Sequence, residues 1–123
     1  MGSNKKILIV DDEKMNIMAL AFFLKSQYDI IVAKDGASAL EAADKHAPDL
    51  ILLDVIMPDM NGFDVLVKLK EAPATKNIPV IFITGLSEAG DEEKGLSLGA
   101  VDFIPKPFDR AVVEEKIKTH LGL

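Results

Sequence analysis

KILIVDD, residues 6–12, is an apolar run that stops abruptly at two carboxylates, Asp11 and Asp12. Short runs rich in Ile, Leu and Val are what strands covered on both faces of a parallel sheet require. LILLD, residues 50–54, repeats the pattern and ends in Asp54. If the two runs are neighbouring parallel strands, three carboxylates converge at one sheet edge. Like charges packed at low effective dielectric repel strongly, so they need a cation or a shared proton. A hard divalent ion such as Mg²⁺, held through carboxylates and waters, meets that need best. The edge is therefore a place for phosphate chemistry.

Outward from these two runs the same alternation continues. Residues 6–10, 30–33, 50–53, 80–83 and 101–104 read as five buried strands. Amphipathic stretches near 14–26, 37–46, 63–71, 88–98 and 109–121 read as the helices between and after them. Five strand–helix units predict a parallel sheet with right-handed crossovers and helices on both faces. Turn and cap residues support the boundaries. Asp35-Gly36 opens the second helix, Pro48 and Pro79 stand just before strands, and Gly99 is a helix stop. Asp109 is a candidate N-cap, ahead of an apolar stripe of Val113, Ile117 and Leu121.

At 123 residues with 49% hydrophobic content, the chain fits one domain with a well-filled core. A formal net charge of −6 argues against a surface that grips nucleic acid through phosphates. No apolar run approaches the roughly 20 residues of a membrane span. The chain has no cysteine, which excludes disulfides and thiolate metal sites.

In open parallel α/β sheets, ligands sit outside the carboxyl ends of the strands. Asp11, Asp12, Asp54, Thr84 and Lys106 all fall at or just past such ends. Singly, each acid reads as a helix cap or turn former. Five polar groups from four strands at one edge are hard to explain as independent caps.

Five ordered motifs give this pattern a family. ILIVDDEKMN, AKDGASALE, PDLILLDVIMPDMNG, VIFITG and GAVDFIPKPF together resemble the receiver domain of two-component response regulators, from Lys6 to Leu121. The resemblance implies a doubly wound, flavodoxin-like (βα)₅ fold, a five-stranded parallel sheet of order 2-1-3-4-5. It implies that Asp54 accepts a phosphoryl group and that Asp11 and Asp12 hold Mg²⁺ together with Asp54 and the backbone carbonyl of Ile56. By the same resemblance Thr84 bonds the phosphoryl group, Lys106 pairs with it, and Thr84 and Phe103 form the switch. The Lys106–Pro107 bond is expected to be cis.

The chemistry suits these residue types. A carboxylate is a weak nucleophile for in-line attack on phosphorus, and the transferred group carries charge that bare carboxylates would repel. A metal ion reverses the local sign, and a lysine adds a second positive charge. The implied activity is that of a signalling phosphoacceptor that catalyses only its own phosphorylation and dephosphorylation. The implied donor is a sensor histidine kinase or a histidine phosphotransfer protein. Output passes through the fourth helix, fifth strand and fifth helix, and homodimerisation through that face stays open. No direct nucleic-acid binding and no membrane association are expected, and the expected location is cytoplasmic.

Other readings are less consistent with the residues. A flavodoxin-type binder needs a hydroxyl- and glycine-rich loop where this chain has DDEK, and an aspartate-nucleophile phosphohydrolase needs Asp-x-Asp on the first strand. A degenerate receiver that only docks would lack phosphorylation residues present here.

Smaller expectations complete the reading. Met1–Ser3 read as an expression tag ahead of a receiver spanning 4–123, either stand-alone or excised. The stretch from Ile78 to Phe108 resembles receivers fused to cyclic-dinucleotide enzymes or sensor kinases. Gly62 supplies backbone freedom to the loop after Asp54, Asp59 is solvated, and Asn16 has a capping role open to it. Gly90 and Gly95 either soften the fourth helix, as a two-state output face would want, or are poor helix formers tolerated for packing. His46 and His120 are surface residues at helix ends. Ile56 and Leu86, two beyond Asp54 and Thr84, are apolar, so phosphoryl loss is expected to be slow.

Overall fold

The computed structural model describes residues 5–85 and 91–123. Five strands, β1 (Lys6–Val10), β2 (Asp29–Ala33), β3 (Leu50–Asp54), β4 (Val80–Thr84) and β5 (Asp102–Pro105), alternate with five helices. These are α1 (Lys14–Leu24), α2 (Gly36–His46), α3 (Gly62–Glu71), α4 (Asp91–Leu98) and α5 (Arg110–Leu121). The sheet is parallel throughout, in the order β2-β1-β3-β4-β5. The parallel sheet covered on both faces that the alternation predicts, and the doubly wound order that the resemblance implies, are both observed. Among the described residues no helix is long and apolar enough to cross a membrane.

The strands read as apolar without alternation because both their faces are covered. Ile7, Ile9, Leu50, Leu52, Ile81, Ile83 and Ile104 pack with Ile17, Leu20 and Leu24 of α1 and Val113 and Ile117 of α5. Leu8, Val10, Ile51, Leu53, Val80 and Phe82 face the other way, onto Ala39 and Ala43 of α2 and Leu66 and Leu69 of α3. Period-2 geometry sends successive side chains to opposite faces, so each central strand feeds both layers.

Helix starts follow local chemistry. The Asp35 carboxylate accepts the Ser38 N–H at 2.7 Å and begins α2. Asp109 accepts from Ala111 at 3.0 Å and begins α5. Asn61 and Asp64 form a reciprocal capping box at the start of α3. Gly99, with φ of +115°, ends α4. Glu13, not Asn16, occupies the cap of α1, and Asn16 lies inside the helix. The expected stretch of helix at 88–90, including Gly90, lies outside the described residues, as do Leu86 and Met1–Ser3.

Two expectations are corrected. Gly62 does not serve the turn through its backbone freedom. The left-handed residue there is Asp59, at φ of +69°, bridged by the Met60 N–H to Pro58 carbonyl bond of 2.8 Å. What Gly62 supplies is closeness: its N–H donates to the Val55 carbonyl at 2.7 Å, and a Cβ would fall on the Asp54 backbone carbonyl. His120 is more than a residue at a helix end, because its Nε2 lies 2.9 Å from Asp102 Oδ2. Lys116 Nζ reaches the other Asp102 oxygen at 2.9 Å, and the Phe103 N–H donates to that same oxygen at 2.8 Å. Burial alone would raise the Asp102 pKa, but these donors outweigh it and hold the carboxyl below its ordinary value.

Candidate functional site

Every polar residue singled out at a strand end stands at the same sheet edge. Asp11 and Asp12 directly follow β1, Asp54 ends β3, Thr84 ends β4 and Lys106 follows β5. β1 lies beside β3 and β3 beside β4, so the parallel register carries the acids of distant segments together. Carboxylate oxygens of Asp11, Asp12 and Asp54 lie within 4.8 Å of one another. Asp11 and Asp54 are buried, whereas Asp12 is exposed.

Lys106 reaches into this cluster from β5. Its Nζ is 3.1 Å from Asp54 Oδ1 and 3.4 Å from Asp11 Oδ2. The Lys106 N–H donates to the Thr84 carbonyl at 2.9 Å, joining the lysine's backbone to the end of β4. The Lys106–Pro107 peptide bond is cis. Asp11 Oδ1 accepts the Glu13 N–H at 2.9 Å, so one carboxylate oxygen is fixed by the start of α1 while the other faces the ammonium.

These groups surround an open cleft lined by Asp12, Glu13, Asp54, Ile56, Thr84, Gly85 and Lys106. Ile56 stands at its rim and is 61% exposed. Asp59 is exposed and is not among the clustered acids. Glu13 and Gly85 line the cleft without having been singled out in the sequence. Their adjacency to Asp12 and Thr84 was the available signal.

Burial raises the Asp54 pKa to about 6, and the neighbouring Asp11 charge adds to the rise. Lys106 pulls the other way but does not prevail. For Lys106 itself, burial acts downward, yet the two carboxylates outweigh it and raise its pKa. The ammonium therefore stays charged at neutral pH, paired with two carboxylates of a cluster of three.

The donor set fits a hard divalent cation. All three candidate ligands offer carboxylate oxygen, and neither imidazole nor thiolate belongs to the cluster. A local excess of negative charge that one lysine does not cancel is what Mg²⁺ would neutralise.

Phe103 lies apart from the cleft, inside the α3–α4 layer. Its ring centroid is 5.7 Å from that of Phe82, which is in turn 5.3 Å from Phe63. The ring is partly buried.

An acidic cluster with a lysine, at the carboxyl ends of a 2-1-3-4-5 parallel sheet, defines the receiver class of phosphate-handling α/β proteins. The response regulator receiver domain family matches residues 7–118, and the chain belongs to that family. It is 44% identical over 115 residues to the response regulator PleD of Caulobacter vibrioides, covering 93% of this chain but only 25% of PleD. It is also 35% identical over 119 residues to the polar-differentiation response regulator DivK of Brucella anthropi, covering 96% of this chain and 97% of DivK. Among solved structures, the receiver domain of the sensor histidine kinase PA1611 from Pseudomonas aeruginosa superposes with a TM-score of 0.90 at 27% identity. That match covers 98% of this chain and 100% of the other, whose structure holds a magnesium ion in its active site cleft. The chain thus spans about a quarter of PleD and nearly all of DivK.

Proposed function

We propose that this receiver takes a phosphoryl group onto Asp54 from a phosphohistidine of a sensor kinase or phosphotransfer protein, in a Mg²⁺-dependent reaction. The observation that carries the reading is the Lys106 ammonium held 3.1 Å from Asp54 and 3.4 Å from Asp11, beside three clustered carboxylates. One Asp54 oxygen attacks phosphorus in line. The new P–O bond forms as the P–N bond to the donor imidazole breaks, and the imidazole departs with the bonding pair and takes up a proton.

Asp11, Asp12, Asp54 and the backbone carbonyl of Ile56 would hold Mg²⁺, which when bound neutralises charge on the phosphoryl oxygens. Lys106 moves its ion pair from the bare carboxylate to the phosphoryl oxygens, and the Thr84 hydroxyl donates to another. An acyl phosphate offers these two residues contacts that a carboxylate cannot. Movement of Thr84 toward it opens room for the Phe103 ring, which carries the change to the face formed by α4, β5 and α5. A partner protein or an attached output domain reads that face.

The reading also covers the rest of the domain's setting. Residues 4–123 form one receiver unit, working in the cytoplasm. The receiver turns over no free metabolite. On the donor side, Met15, Met18 and Phe22 are exposed along α1 next to Asp12 and Glu13, an apolar landing for an incoming helix.

Incubation with Mg²⁺ and a small acyl phosphate tests this. Acid-stable, base-labile label should appear on Asp54, vanish in Asp54→Asn, and require the metal. Label on another residue, or none, would refute the reading.

A further inference from the structure

Lys106 opens the short loop, residues 106–109, that carries the chain from β5 to α5. A lysine is a point charge on a flexible four-carbon stem, so the backbone beneath it decides where the ammonium can stand. This lysine needs that help. Its side chain is partly exposed beside an open cleft, where water competes for the ammonium. Upstream the backbone is fixed, because the Lys106 N–H donates to the Thr84 carbonyl at 2.9 Å. Two residues downstream the next hold is aromatic. The Phe108 ring meets Phe23 of α1 edge to face, with centroids 6.1 Å apart and planes at 88°.

Phe23 is a firm support. Both rings are partly buried and pack against the core layer under α1 and α5. Leu20 and Leu24 flank Phe23 on α1 and are buried in that layer. The Arg110 guanidinium stands 5.6 Å from the centroid of the same ring. One α1 side chain thus engages residues 108 and 110, on either side of the Asp109 cap. Arg110 is exposed and its ion pair with Glu114 is long, at 3.7 Å, so the ring-on-ring contact is the stronger hold.

We propose that the Phe108–Phe23 contact aims Lys106: by pinning the β5–α5 loop to α1, it keeps the ammonium against Asp54 and Asp11. Phe23 and Phe108 are positioning residues that act through the lysine, and neither is among the residues lining the cleft. The consequence for phosphoryl binding rests on the reading above, in which Lys106 pairs with the phosphoryl oxygens.

The experiment labels lysine ε-carbons with ¹³C in the full chain and assigns Lys106 by the signal missing from Lys106→Met. It measures ¹³C relaxation order at that carbon, together with affinity for Mg²⁺ and for beryllium fluoride as a phosphoryl mimic. In Phe108→Ala the Lys106 ε-carbon should lose order, toward that of the exposed Lys14. With Mg²⁺ saturating, beryllofluoride affinity should fall about threefold to tenfold, while Mg²⁺ affinity stays at its wild-type value. Phe23→Ala should do the same, and the double variant should lose no more than Phe23→Ala alone. In a Lys106→Met background, Phe108→Ala should leave beryllofluoride affinity unchanged. Wild-type order at the Lys106 ε-carbon in folded Phe108→Ala would overturn the proposal. So would unchanged beryllofluoride affinity, a loss that persists without the lysine, or a parallel fall in Mg²⁺ affinity. Should Phe108→Ala fail to fold, Phe108→Leu takes its place and must show the same pattern. A wild type that ignores beryllofluoride, with ε-carbon order lost in Phe108→Ala, would support the aiming contact and sink the phosphoryl reading alone.

Discussion

Lys106 Nζ and Asp54 Oδ1 lie 3.1 Å apart although 52 residues separate them in the chain. The pair is incomplete as an ion pair, because the buried carboxyl still sits at a pKa of about 6 rather than in the usual carboxylate range. Burial and the Asp11 charge together exceed what the lysine returns. A site left electrostatically unbalanced in this way is receptive to added positive charge.

Replacing Lys106 with methionine should raise the Asp54 pKa above 6, since the one downward influence on it would be gone. The same change should lower metal-free stability at pH 7 by about 1–2 kcal/mol, less than for a fully buried pair because the lysine is partly exposed. Carbon-13 titration of the Asp54 carboxyl and urea unfolding check the two effects. A carboxyl that titrates lower in the variant would contradict the account.

Asp54→Asn should stabilise the metal-free protein at neutral pH. The folded carboxyl has a pKa near 6, raised above its ordinary 3.8, so between those values the folded state binds more protons than the unfolded chain. Stability contributed by Asp54 is therefore greatest in acid and falls as pH rises from about 4 to 6. The gain of the asparagine variant should be about 1–3 kcal/mol at pH 7.5 and should shrink toward pH 4. Saturating Mg²⁺ should also narrow the gap, because it stabilises the charged wild type. Paired urea melts across pH, in chelator and in Mg²⁺, measure it.

Asp12→Ala separates metal binding from folding. Asp12 is exposed, so its loss should change stability by no more than about 0.5 kcal/mol. Removing one of three carboxylates should nevertheless weaken Mg²⁺ binding roughly tenfold or more. The chain has no tryptophan, so calorimetry or NMR titration is the suitable readout. Unchanged affinity would place the ion elsewhere.

Phosphoryl lifetime depends on whether water can be aimed at the phosphorus. Ile56 stands exposed at the cleft rim with no group to orient a water molecule. We expect label on Asp54 to persist for minutes or longer, and Ile56→Gln to shorten it. Label lost from the wild type within seconds would contradict this.

The fold was legible because burial on both faces leaves a plain trace: five apolar runs, each bounded by a cap or proline. The acids at the site were legible only jointly: one carboxylate after an apolar strand reads as a cap or turn former, but three of them with a hydroxyl and an ammonium at one sheet edge do not. Contacts between elements distant in sequence left weaker traces. Nothing around His120 announces Asp102, because that pairing depends on how α5 lies along β5. Gly95 and Gly62 look like conformational choices in one dimension, and their packing reasons emerge only when Phe82 is seen between them.

Gly62→Ala should be the most disruptive single methyl near the site. The glycine lies against the backbone of the residue proposed to be phosphorylated, where a Cβ would meet the Asp54 carbonyl and stand 2.9 Å from Val55 Cα. Backbone on the sheet's third strand cannot rotate aside as a side chain can, so the loop must shift as a whole. Overpacking of this kind costs about 2–3 kcal/mol. The shift should also carry Ile56, whose carbonyl is proposed to ligate the metal, so Mg²⁺ affinity should fall together with stability. Asp12→Ala loses affinity alone, and the contrast makes the test specific. Gly62→Ala with native stability and native Mg²⁺ affinity would show that the loop after β3 is looser than its hydrogen bond from Gly62 to Val55 implies.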